Sequence, residues 1–272
     1  MGDLILASAW RPRGEFPRLQ KLLPRLMEVY ESIVVTLPPG SDNTVLSALE
    51  GMGLEFVGKN GKPIYVVVTD DWSWGRHAAL QKALDVSISH IQYADMDRLL
   101  RWVETRPDEW FRTVKDIEQC DCLIIGRTDV AYNTHPRALR RTEAISNMVT
   151  SYLLGQAVDV SAGSKGFSHR AAEYLIANCT PGRALGTDSE WPVLLHRAGF
   201  TIEYVAVDGL DWEIPDQYLS EAATAEIQHR VAEEYDADPD NWARRVEVAL
   251  EIVQSGIETT KRILDDDKRN IR

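Results

Sequence analysis

Short apolar runs alternate with amphipathic segments through the first half of the chain. The runs have the length and the aliphatic and aromatic content of buried strands, and the segments between them carry apolar residues at helical spacing. Strands are predicted at 4–7, 33–36, 54–57, 64–69, 122–126 and just before Asp95, and helices at 16–30, 45–52 and 75–86. This alternation predicts an α/β fold with a mostly parallel central sheet and helices on both faces.

The second half continues the pattern less regularly and ends in a charge-rich helical segment. Helices are predicted at 98–103, 109–118, 136–154, 169–177, 188–198, 222–234 and 241–264, a strand at 201–207 and a glycine turn at 163–167. We therefore predict a main domain over 1–219 and a C-terminal helical appendage over 220–272. We expect the appendage to pack on the domain or on another subunit, as in a homodimer formed through the C-terminal helices.

Composition narrows the class of partner. The 272 residues are 44% hydrophobic and 26% charged, as in an ordinary soluble globular protein. The net charge of −12 argues against nucleic acid or an anionic membrane as the main partner. No apolar run has the length of a membrane span, and no signal-peptide pattern opens the chain. With only three cysteines, we expect reduced thiols and a cytoplasmic location.

Two carboxylates one residue apart, Asp95 and Asp97, come directly after a predicted buried strand. The carboxyl edge of an open α/β sheet is where ligands bind, and hard oxygen ligands suit Mg²⁺ or Mn²⁺. The pair therefore indicates a metal–diphosphate site. A second interpretation is that Asp97 is the N-cap of the helix that begins at Arg98.

Two segments each carry a basic residue, and both residues could contact the same ligand. Arg76 follows Gly75 at a helix start, where a guanidinium is well placed to contact a diphosphate. Lys165 lies between Gly163 and Gly166, where the backbone can approach a ligand closely. A surface arginine and an ordinary turn are the alternatives.

Two further segments carry candidate acid–base or metal-binding groups. Asp188 and Glu190 lie at a predicted helix start, where a carboxylate can deprotonate an incoming hydroxyl or stabilise the helix end. His229, in a polar helix, is a candidate metal ligand, with an exposed surface histidine as the alternative.

Read in order, these segments resemble a GT-A-type glycosyltransferase close to family 2, the group of the dolichol-phosphate-sugar and glucosyl-phosphoglycerate synthases. The resemblance spans roughly residues 3–210 and depends on the order and spacing of its motifs. These are the first strand with its polar turn, the Gly-Arg-x-x-Ala-Leu-x-x-Ala-Leu helix, the Asp-x-Asp, the glycine-containing turn and the acidic helix, at 5–11, 75–84, 95–97, 163–170 and 188–199.

The resemblance implies a metal-dependent transfer of a sugar from a nucleotide-sugar donor to a small soluble acceptor. Asp95 and Asp97 would bind Mg²⁺ or Mn²⁺ directly or through water, and Arg76 would neutralise the leaving nucleoside diphosphate. Ser8 and Trp10 would line the nucleotide pocket. Lys165 would face the acceptor or the donor phosphates, and the acidic helix would orient or deprotonate the acceptor.

The sequence departs from the family pattern after the second strand. An acidic pair often stands there, whereas this chain has Thr36-Leu-Pro-Pro-Gly40. The chain also lacks a Gln-x-x-Arg-Trp motif, which disfavours a processive polysaccharide synthase. Two other functions remain open: a nucleotidyltransferase of similar topology, and a catalytically inactive GT-A-like module for binding or assembly.

Overall fold

The protein is represented by a computed structural model that describes residues 4–41, 43–55, 64–86 and 90–270. Its first half contains β1 (Leu4–Ala9), α1 (Phe16–Leu26), β2 (Tyr30–Leu37), α2 (Asn43–Glu55), β3 (Ile64–Val68), α3 (Gly75–Val86), β4 (His90–Ala94), α4 (Met96–Thr105) and α5 (Pro107–Thr113). The second half contains β5 (Cys122–Arg127), α6 (Asp129–Thr134), α7 (Arg137–Leu154), β6 (Ser164–Phe167), α8 (His169–Asn178), α9 (Thr187–Arg197), β7 (Ile202–Val207), α10 (Ala225–Ala237) and α11 (Pro239–Asn270). Short 3-10 helices lie at Trp72–Trp74, Val114–Gln119, Ala184–Gly186 and Ile214–Asp216.

Within the described ranges, seven strands form one sheet in the order β3-β2-β1-β4-β6-β5-β7. β6 is antiparallel to its neighbours β4 and β5, and the other pairs are parallel. The parallel strands β1 to β4 therefore end at one edge, which is where α/β sheets place their ligands.

Both faces of the sheet are covered because successive residues of its strands point in opposite directions. Leu4 and Leu6 pack in a core with α1, α4 and α5, whereas Ile5 and Ala7 pack in a second core with α3, α8 and α9. The predicted fold class, an α/β protein with a mostly parallel central sheet and helices on both faces, is confirmed.

The C-terminal helices pack onto the rest of the chain. α11 lies along α7 and α9. The carboxylate of Asp236, in α10, accepts hydrogen bonds from the backbone N–H groups of Arg137 and Ala138 at 2.9 and 2.8 Å, which satisfies two free donors at the start of α7. The division at residue 219 stays a prediction. Among the described helices, none is long and apolar enough to cross a membrane.

The predicted and observed elements differ most at three places. The predicted glycine turn at 163–167 is largely strand β6, because β4 and β5 supply a hydrogen-bonding partner on each side. The helix predicted at 16–30 ends at Leu26, two residues after Pro24, and Tyr30 already belongs to β2. The strand predicted at 54–57 is helical up to Glu55, and its last two residues lie outside the described ranges.

Candidate active site

Asp95 directly follows β4 and occupies the N-cap position of α4, yet its side chain does not cap the helix. Instead Oδ1 accepts a hydrogen bond from the Tyr93 hydroxyl at 2.8 Å, and both carboxylate oxygens lie 3.1–3.2 Å from Nη2 of Arg76. The Asp95 backbone N–H donates to the carbonyl of Gly163 at 2.9 Å. Gly163 has a φ of +69°, and a Cβ there would collide with Oδ2 of Asp95, so the close approach requires glycine.

Asp97 lies in the first turn of α4, so the interpretation of Asp97 as the N-cap is wrong. Its Oδ1 accepts from the backbone N–H of Arg98 at 2.9 Å. Burial raises the pKa of Asp97 to about 7, with further contributions from the negative charges of Glu213 and Asp95, which the positive charge of Arg98 only partly offsets. A cation bound beside Asp97 would therefore stabilise the charged form of its carboxyl group.

Arg76, at the start of α3, is buried and links two carboxylates that are far apart in the sequence. Nη1 donates to Oδ1 of Asp188 at 2.8 Å and to Oγ1 of Thr187 at 3.2 Å, while Nη2 faces Asp95. The guanidinium carbon lies 5.3 Å from the centre of the Tyr93 ring. Burial alone would lower the pKa of Arg76, but Asp188 and Asp95 hold it well above its ordinary value, so the side chain stays charged.

Lys165 projects from β6 to the same carboxylate. Its Nζ donates to Oδ1 of Asp188 at 2.8 Å and to the carbonyl of Val160 at 3.1 Å, and the residue is 1% exposed. Burial would raise the pKa of Asp188, but Arg76 and Lys165 outweigh it and hold this pKa below its ordinary value. Four predicted site residues from four segments, Arg76, Asp95, Lys165 and Asp188, are therefore brought together.

Glu190 lies elsewhere, because residues two apart on a helix do not share a face. Its Oε1 accepts from the backbone N–H of Thr180 at 3.0 Å and lies 3.9 Å from nitrogens of Arg183 and Arg262. Burial raises the pKa of Glu190, which the hydrogen bond from Thr180 and the charge of Arg183 partly oppose. Glu190 thus packs against the 180–183 loop and α11.

The remaining predicted residues have different surroundings. Ser8 is fully buried in β1, and among the described residues its Oγ has no hydrogen-bond partner. Trp10 is 4% exposed and packs in the core that contains α1 and α4. His229 is exposed on α10, and its Nε2 lies 3.4 Å from Oε1 of Glu233 one turn later. The structure does not bring His229 together with Asp95 and Asp97.

Glu213 and Arg98 were not among the predicted site residues. Glu213, in the segment after β7, is 5% exposed; its Oε1 lies 3.4 Å from Nε of Arg98, and its Oε2 has no partner among the described residues. Arg98 also donates from Nη1 to the carbonyl of Ser161 at 2.8 Å. Arg98 follows Asp97 directly, but no local pattern pairs that segment with Glu213, which is more than a hundred positions away.

Asp97 and Glu213 are candidate ligands for a divalent ion, since the negative charge of Glu213 helps to raise the pKa of Asp97. Within the described part of the chain, no three His, Cys, Asp or Glu side chains are grouped so as to hold a metal by themselves. Mg²⁺ commonly takes only one or two protein carboxylates and completes its shell with water and substrate phosphates. Two mutually repelling carboxylates, one with a buried oxygen that lacks a partner, fit that donor set.

Comparisons with known proteins yield similar solved structures and no sequence match. No protein family model matches the chain, and neither does any curated protein sequence. The chain is similar in structure to mannosyltransferase PcManGT from Pyrobaculum calidifontis in complex with GDP-Man and Mn²⁺, with a TM-score of 0.40 and 11% identity. The alignment covers 100% of this chain and 83% of that chain.

Proposed function

We propose that this protein is a metal-dependent glycosyltransferase of the GT-A type that moves a sugar from a nucleotide-sugar donor to a small acceptor. The observation that carries the proposal is the position of Arg76, which joins Asp95 at the end of β4 to Asp188 at the start of α9. Lys165 adds a second buried cation at Asp188. Two buried cations beside carboxylates, at the edge where parallel strands end, suit a metal-bound diphosphate.

In this proposal Arg76 contacts the donor diphosphate, Lys165 adds positive charge from behind it, and Asp188 holds both cations in place before the donor arrives. Asp97 and Glu213 hold a Mg²⁺ or Mn²⁺ ion, and Asp95 orients Arg76 or acts through a water molecule. The ion would neutralise part of the charge that develops on the leaving nucleoside diphosphate. Ser8 and Trp10, being buried, would shape the floor of the nucleotide pocket.

The acid–base role of the acidic helix stays a prediction. While Arg76 and Lys165 both contact Asp188, its lowered pKa makes it a weak base. Asp188 would accept the proton of the acceptor hydroxyl only after the diphosphate has drawn Arg76 away. Glu190 faces the 180–183 loop, so the proposal gives it no step. The homodimer, the cytoplasmic location and the small size of the acceptor also stay predictions.

The test is calorimetric titration with UDP, GDP and ADP, each with Mn²⁺ and with a chelator in its place. We expect at least one nucleotide to bind, and to bind at least tenfold more weakly without the ion. Asp97→Asn and Glu213→Gln should abolish the difference between Mn²⁺ and chelator without unfolding the protein. Asp108→Asn, an exposed carboxylate in α5, is the matched control and should bind like wild type.

Each rival function predicts a different result. A binding or assembly module would be indifferent to Asp97→Asn and to the chelator. A nucleotidyltransferase would release diphosphate when it is incubated with a sugar phosphate and a nucleoside triphosphate. Either result would replace the proposed transferase.

A further inference from the structure

Two tryptophans in the segment after β3 are exposed to solvent. Trp72 is 61% and Trp74 49% exposed, whereas five of the other six tryptophans are buried and Trp242 is half-buried. An exposed indole next to a predicted ligand site is a large, flat surface available for stacking.

The segment that carries these indoles has a defined shape. Trp72–Trp74 form one turn of 3-10 helix, in which Oδ1 of Asp71 accepts from the Ser73 backbone N–H at 2.8 Å. The Trp74 ring meets the His77 ring edge-on, with their centres 6.4 Å apart. Trp74 also packs against Gly182, where a Cβ would lie 3.2 Å from its Nε1. These contacts hold the Trp74 indole in place, and both indoles stay exposed.

The position of this segment follows from the strand order. β4, β1, β2 and β3 are neighbours, and strands lie about 4.8 Å apart, so the end of β2 is about 10 Å from the end of β4. Gly75 lies over the ends of β1 and β2, since its carbonyl accepts from Oγ1 of Thr36 at 2.8 Å and a Cβ there would lie 3.2 Å from that of Ala9. The next residue, Arg76, reaches Asp95 at the end of β4.

A nucleotide whose diphosphate lies at Arg76 and Asp97, and which extends along this edge away from β4, reaches the segment 72–74 with its base. Residues 37–40 at the end of β2, Leu-Pro-Pro-Gly, offer it no carboxylate. We propose that Trp72 and Trp74 form a stacking platform for the nucleobase of the donor. This inference rests on the proposed function and adds the group that holds the base. Every base has a π-face, so the platform supplies affinity with little selection among bases.

The experiment separates binding of the base from binding of the diphosphate. Affinities are measured for UDP, GDP, ADP and inorganic pyrophosphate, each with Mn²⁺, in wild type and in Trp72→Ala/Trp74→Ala. We expect the double variant to bind the nucleotides about 10- to 100-fold more weakly and pyrophosphate as tightly as wild type does. Trp72→Phe/Trp74→Phe should retain most of the affinity. The control Tyr152→Ala, which removes an exposed aromatic ring of α7, should change nothing.

Wild-type protein gives a second measurement that needs no variant. Because Trp72 and Trp74 are the indoles most open to solvent, acrylamide should quench mainly their fluorescence, and a bound nucleotide should reduce that quenching. Pyrophosphate should not reduce it.

Three results would overturn the inference. Nucleotides that bind no more tightly than pyrophosphate would show that the base is not held, while the proposed function would survive. Unchanged nucleotide affinity in the double alanine variant would show that the base lies elsewhere and that the two indoles are free to contact the acceptor. If neither nucleotides nor pyrophosphate bound with Mn²⁺, the proposed function would fail, and the inference with it.

Discussion

Replacing Asp188 with asparagine should destabilise the protein, because it leaves two buried cations without their shared anion. Oδ1 of Asp188 lies 2.8 Å from Nη1 of Arg76 and 2.8 Å from Nζ of Lys165, and the three side chains are 5%, 8% and 1% exposed. Breaking a buried ion pair by removing one partner costs about 3–5 kcal/mol. Arg76 keeps Asp95 as a partner, so we expect the lower end, about 3 kcal/mol.

The assay is urea unfolding followed by tryptophan fluorescence. With a slope of about 3 kcal/mol per molar urea, the midpoint should fall by about 1 M. Asp108→Asn should change the free energy of unfolding by less than about 0.5 kcal/mol. Adding Lys165→Met to Asp188→Asn removes the unpaired ammonium group and should restore about 1–2 kcal/mol.

The pH dependence gives an independent check. Because the pKa of Asp188 is lowered in the folded state, its contribution to stability is present above its unfolded pKa of about 4 and is lost as the pH falls through its folded pKa. Asp188→Asn should therefore flatten the acid side of the stability profile. A loss below about 1 kcal/mol at pH 7, or no recovery on adding Lys165→Met, would refute the reasoning from buried charge.

Three further changes test neighbouring parts of the structure. Gly163→Ala should lower the free energy of unfolding by about 1–2 kcal/mol, because residue 163 has a left-handed backbone, and should displace Asp95. Both the thermal midpoint and the Mn²⁺-dependent nucleotide affinity should then fall. Retained affinity would show that Asp95 need not hold its position. The raised pKa of Asp97 means that metal-free protein loses stability as the pH rises from about 4 to about 7. Asp97→Asn should therefore stabilise it by about 1–3 kcal/mol at pH 8, measured by urea unfolding. An unchanged midpoint would argue against the burial and the charge repulsion that raise this pKa. Asp121→Asn should lower the free energy of unfolding by about 1–2 kcal/mol in the same assay, because this carboxylate accepts five hydrogen bonds that join the starts of α8 and β7. The variant should also lose less stability than wild type as the pH falls below about 4, because the pKa of Asp121 is lowered in the folded protein.

Much of the fold could be predicted because strands and helices differ in local periodicity. The strand predicted at 4–7 and the helix at 75–86 can be recognised from their own residues, and Asp95 is visible as the polar residue after an apolar run. β6 could not be recognised in this way. Its four residues, Ser-Lys-Gly-Phe, become a strand because β4 and β5 lie on either side, and β4 is about seventy positions away.

For the candidate site, too, the sequence indicated residues but not the contacts between them. Sequence order indicated Arg76, Asp95, Lys165 and Asp188 as separate candidates, each with an ordinary structural alternative. Only packing shows that Arg76 reaches Asp188, 112 positions away, and that Lys165 shares its carboxylate. Packing likewise turns Glu190 toward the 180–183 loop and leaves His229 on an exposed helix face.

The sequence by itself determined the order of the elements, the α/β class and the residue types available for a metal–diphosphate site, because these depend on neighbours within a few positions. The tertiary structure decided which charges are buried together, why the pKa of Asp97 is raised, and that Glu213 lies beside Arg98. Such pairings depend on electrostatic forces between segments that only the packed sheet brings together, and their strength depends on the water that packing removes.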